Sequence, residues 1–71
     1  MAYASNTEKH FAKMHGYQIS ESVMFGTKFQ KANRRIWPTA EGRWQTADLQ
    51  KGHYTNHKLF DELGDAIQRP L

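Results

Sequence analysis

The sequence predicts an α+β fold: a short N-terminal helix, a small antiparallel sheet of two to three strands, and a C-terminal helix packed on the sheet. Three features predict it. Residues 5–16 begin with a helix-capping pattern and end on a glycine; residues 34–58 set aromatic and β-branched side chains between glycine-bearing turns; residues 59–67 place apolar side chains at helical spacing.

In the first element, Ser5 and Glu8 have capping-box spacing, in which the hydroxyl accepts from one free amide and the carboxylate reaches back to another. Phe11 and Met14 share a face, Ala12 favours helix, and Gly16 stands where a left-handed C-terminal cap belongs. A helix of about ten residues is too short to persist alone in water, so it must dock, through Phe11 and Met14. Residues 17–32 support two readings. Tyr17, Ile19, Val23 and Phe25 alternate as on a strand, with Glu21 interrupting the set. Ile19 with Val23, and Phe25 with Phe29, would also pair on a helix capped by Ser20 and weakened at Gly26. The β-branched and aromatic content favours strand.

From Arg34 onward the β pattern is clearer. Trp37 precedes a turn over residues 38–42, proline first and glycine last. Residues 43–49 put Trp44, Thr46 and Asp48 on one face and Gln45, Ala47 and Leu49 on the other. A second turn at Gln50, Lys51 and Gly52 leads into residues 53–58, the third strand. Leu59, Phe60, Leu63, Ala66 and Ile67 then form one side of a helix capped by Thr55 or Asn56, weakened by Gly64 and stopped by Pro70.

Composition bounds what such a chain can do. Leu, Ile, Val and Phe number 12 of 71, below the roughly 20% of a comfortable core. Nine aromatic residues, each burying roughly 150–250 Å², make good part of the deficit. The chain reads as one domain over residues 1–71. It has no cysteine, which excludes disulfide scaffolds, thiolate zinc sites and cysteine nucleophiles. Residues 1–6 contain no basic region followed by an apolar run, and the longest apolar run is Val23, Met24 and Phe25. The expectation is a cytoplasmic protein with no membrane association.

The net charge of +3 is unevenly spread. Residues 26–58 carry Lys28, Lys31, Arg34, Arg35, Arg43, Lys51 and Lys58 against Glu41 and Asp48, whereas residues 1–25 are neutral and residues 59–71 are acidic. Cations interleaved with aromatic rings offer phosphate contacts and stacking surfaces together. The candidate nucleic-acid contacts are Lys28, Lys31, Arg34, Arg35, Trp37, Arg43, Trp44, Gln45 and Lys51, with DNA favoured over RNA. On a strand, Arg43 and Gln45 would share a face and could meet guanine and adenine edges through paired hydrogen bonds.

The succession Gly42, Arg43, Trp44, then Tyr54, Phe60 and Ala66, resembles the arm-binding domains of integrases and plant AP2-type domains, over about thirty positions. That resemblance implies a three-stranded sheet lying in the major groove with a helix behind it; the final helix here is shorter than theirs. Phe29 and Gln30 followed by Asn33, Arg34 and Arg35 resemble a homeodomain recognition helix only superficially, because Lys31 and Ala32 rotate the reading face by roughly 200°.

Other chemistries find little support. His53 and His57 have the spacing of two ligands on one helical face, with Asp61 as a third candidate, but Tyr54 stands where a zinc protease has its glutamate. The serines lack a nucleophile elbow, and the glycines are single. The expectation is therefore a non-enzymatic protein with no metal and no cofactor. The alternative function is a protein-interaction module or inhibitor, of the compact kind encoded by phages and mobile elements, that docks on a larger protein. Aromatic residues and arginines dominate such interfaces too. The thin aliphatic core also raises self-association as a homodimer, through a sheet edge or the first helix.

Overall fold

The computed structural model describes residues 3–24 and 26–68. An N-terminal helix, α1 (Asn6–Met14), precedes five strands, β1 (Gln18–Ser22), β2 (Gly26–Lys31), β3 (Arg34–Pro38), β4 (Trp44–Gln50) and β5 (His53–Phe60), and a short helix, α2 (Leu63–Gln68), follows them. The strands form one antiparallel sheet in the order β1-β2-β3-β4-β5. The fold is α+β, but the sheet has five strands rather than two or three.

The two extra strands come from residues 18–31, which form a hairpin rather than one strand or a helix. Glu21 interrupts the apolar alternation because its carboxylate is bonded where it sits: Oε2 accepts from Thr27 Oγ1 at 2.8 Å and lies 2.6 Å from Lys9 Nζ on α1. Those bonds, Lys9 first, hold the Glu21 carboxyl below its ordinary range. Phe25 and Pro70, assigned roles above, lie outside the described residues.

The α1 capping box forms as expected. Glu8 N–H donates to Ser5 Oγ, Ser5 N–H donates to Glu8 Oε1, and Gly16 takes φ +86° just beyond the C-cap. The docking face differs from expectation. Ala12 is fully buried and Phe11 partly so, whereas Met14 points out to solvent. The helix approaches β1 closely over the small Ala12 side chain, which turns Met14 away.

Two-residue connections join β2 to β3 and β4 to β5. Lys51 and Gly52 both have positive φ, the backbone of a type I′ turn that matches the twist of a hairpin. β5 is longer than expected and takes Leu59 and Phe60 from the predicted helix. Phe60 pairs with Trp44 and packs on the core from the strand, while Leu59 faces the opposite side. Helix α2 therefore begins at Leu63, and Thr55 and Asn56 do not cap it. Asn56, at φ +56°, sits instead in a β-bulge opposite Ala47. His53 and His57 lie on this strand, so helical spacing does not bring their imidazoles together.

Both helices cover the same face of the sheet. Phe29, Ile36 and Trp44 pack there with Ala12, Tyr17, Leu63, Ala66 and Ile67, and the Phe29 and Trp44 rings stack at 5.8 Å. Among the described residues no helix is long and apolar enough to cross a membrane.

Candidate nucleic-acid interface

Cross-strand partners share a face of a sheet, so the register divides every strand between a helix-covered side and an open side. Ser20 with Lys28, Gln18 with Gln30 and Arg35, Arg35 with Ala47, Trp37 with Gln45 and Leu59, and Leu49 with Tyr54 all fall on the open side. At its centre the rings of Trp37 and Tyr54 meet edge to face, 5.4 Å apart. Ala47 lies between them in the register and is fully buried, the one buried apolar side chain among the described residues that is outside the main core. The open face thus has its own small aromatic platform.

Polar groups surround it. Gln30 Nε2 donates to Gln18 Oε1 at 3.3 Å. Arg35 donates from Nη1 to the Ala32 and Arg34 carbonyls at 2.8 and 3.0 Å, which holds the guanidinium along the β2–β3 turn. Nε and Nη2 remain as donors for another acceptor. Among the described residues no carboxylate occupies an open-side position of a strand: Glu8 and Asp65 are on helices, Glu41, Asp61 and Glu62 are in loops, and Glu21 and Asp48 alternate to the helix side.

Of the nine expected contacts, Lys28, Arg35, Trp37 and Gln45 come together here. The rest do not. Trp44 is 5% exposed and stacked in the core, so no base can lie on it. Lys31 and Arg34 alternate to the helix side, where Lys31 Nζ donates to the His15 carbonyl at 2.9 Å and Arg34 Nη2 to the Ala66 carbonyl, capping the ends of α1 and α2. Arg43 precedes β4, and its Nε holds Asp61 Oδ1 at 2.7 Å rather than working beside Gln45. Lys51 occupies the exposed β4–β5 turn at the sheet's end. Sequence reasoning put Leu49 on the face of Gln45, as the register does, but omitted Gln30. The parity of Gln30 with Lys28 would have found it once β2 was assigned as a strand.

Among the described residues no three His, Asp or Glu side chains gather as metal ligands. No family model, curated protein or solved structure matches the chain.

Proposed function

We propose that this chain is a non-enzymatic, cytoplasmic nucleic-acid-binding accessory protein, and that it binds through the open face of its sheet. The observation that carries the reading is the composition of that face: Lys28, Arg35, Gln30 and Gln45 around the Trp37–Tyr54 platform, with no carboxylate on it. A polyanion meets no opposing charge there. Strands β3 and β4 lie inside the five-stranded sheet, so their open-side chains are the ones that would face a DNA major groove laid across it. Arg35 and Gln45 on those strands have the paired donor and acceptor groups that suit guanine and adenine edges, and Lys28 on β2 would meet the flanking phosphates. Single strands would use the rings instead, stacking bases on Trp37 and Tyr54.

The test is a titration with fluorescent duplex and single-stranded oligonucleotides at 50 and 200 mM salt. The one duplex phosphate neutralised by Lys28 predicts about a threefold loss of affinity over that fourfold range. Binding of that salt dependence to duplex supports the reading; no binding at 50 mM salt refutes it.

A second reading, docking on a larger protein, is favoured by the β1–β2 turn, where Val23 and Met24 are 79% and 84% exposed. Capture of one stoichiometric partner that is lost on substituting both with serine would support it over the first.

A further inference from the structure

On the helix side, where α1 ends and β2 turns into β3, a cleft of about 280 Å³ is lined by His15, Tyr17, Lys31, Ala32, Arg34 and Ile67. Lys31 and Arg34 are its charged groups, and among the described residues no carboxylate contributes. A second observation is independent of the cavity. Arg34 Nε is buried and has no hydrogen-bond partner, although a charged donor left unpaired in the interior is costly. The Arg34 guanidinium bonds the Ala66 carbonyl and, among the described residues, no carboxylate. Asp48, its register partner on β4, instead accepts from Asn56 Nδ2 at 3.2 Å. Lys31, which is exposed, also has no carboxylate partner among the described residues: its ammonium bonds the His15 carbonyl and lies 5.7 Å from the Tyr17 ring centre.

Among the described residues, two full positive charges therefore share one partly enclosed cleft without a carboxylate counter-charge. We infer that this cleft binds a single phosphate-sized oxyanion, with Lys31 and Arg34 supplying the charge and His15 and Tyr17 forming its wall. At about 280 Å³ the cleft has room for a phosphate group beside the two cations. The site is on the side of the sheet away from the Trp37–Tyr54 platform and does not depend on nucleic-acid binding there.

The experiment is a titration of the full chain with inorganic phosphate against chloride at matched ionic strength, followed by amide chemical shifts. Saturable shifts confined to residues 15–17 and 31–34 are expected. Lys31→Gln should weaken them at least tenfold, and Lys51→Gln, which removes the same charge from the β4–β5 turn, should leave them unchanged. Lys31 is exposed, so its variant keeps the fold, and the spectrum itself reports this. Shifts that stay linear with concentration, or that respond equally to the two substitutions, would overturn the inference. Competition by a 5′-phosphorylated dinucleotide and not by its unphosphorylated form would identify a strand terminus as the source of the phosphate. With saturable binding but no such competition, the free ion is the ligand.

Discussion

Two threonines are fully buried on the helix side of the sheet, and they should respond to the same substitution with opposite signs. Thr27 Oγ1 accepts from Ala4 N–H at 3.0 Å and donates to Glu21 at 2.8 Å. Thr46 Oγ1, on β4 between Ile36 and Lys58, is buried without any hydrogen-bond partner. Valine keeps the shape and the β-branching of threonine, so the substitution isolates the hydroxyl. Burying a hydroxyl without a partner costs about 1–3 kcal/mol in folded proteins, and Thr46→Val removes that cost. Thr27→Val leaves the buried Ala4 N–H without its acceptor, for a loss of about 1–3 kcal/mol. In a domain this small, each 1 kcal/mol moves Tm by about 4–8 °C. Thermal unfolding should therefore show Thr46→Val at least about 4 °C above the parent and Thr27→Val at least about 4 °C below it. Equal shifts of the same sign would refute the reasoning, because the hydrogen-bond difference would then count for nothing.

Three further outcomes follow from the packing. Trp44→Ala should cost about 3–5 kcal/mol as a core truncation, a large share of the roughly 4–11 kcal/mol expected of a chain this size. Trp37→Ala, on the open face, should lower the denaturation midpoint by less than half as much. Ala32 holds φ +53° in the β2–β3 turn, a left-handed geometry that costs an alanine about 1–2 kcal/mol. Ala32→Gly should relieve this, offset by backbone entropy, and raise the denaturant midpoint by an amount worth up to about 1 kcal/mol. Glu21 has a depressed carboxyl pKa in the folded state, so its contribution is present above the ordinary value of 4.5 and is lost as pH falls through the lower folded value. The stability gap between parent and Glu21→Gln should be steady near neutrality and should close in acid; a gap independent of pH down to 2 would contradict the Lys9 and Thr27 bonds.

Local signals in the sequence were read well where they depended on neighbours in the chain. Ser5, Glu8 and Gly16 bracket α1, and the chain turns near the expected places, over residues 39–43 and 51–52, with Pro38 ending β3 and Gln50 ending β4 rather than opening the turns. The misreadings arose where a distant partner decides. Glu21 breaks an apolar alternation only until Thr27 and Lys9 are known to meet it. Leu59 and Phe60 fit a helix face and a strand equally well, and pairing of Phe60 with Trp44 is what commits them to β5. For the candidate site, regional charge pointed to residues 26–58 but could not assign each cation to a face. Lys31 and Arg34 flank a two-residue turn, and register alone sends both to the helix side while leaving Arg35 on the open one.

The central claim is that one face of the sheet binds nucleic acid, and a pair of charge-matched double variants tests it most directly. Lys28→Gln with Arg35→Gln removes two cations from the open face; Lys13→Gln with Lys58→Gln removes two from α1 and from the helix side of β5. Duplex affinity should fall at least tenfold at 50 mM salt for the first pair, with the salt slope reduced by about 0.9 through the loss of the Lys28 phosphate contact, and should change less than about twofold for the second. Equal losses for both pairs would mean that net charge, and not this face, governs binding.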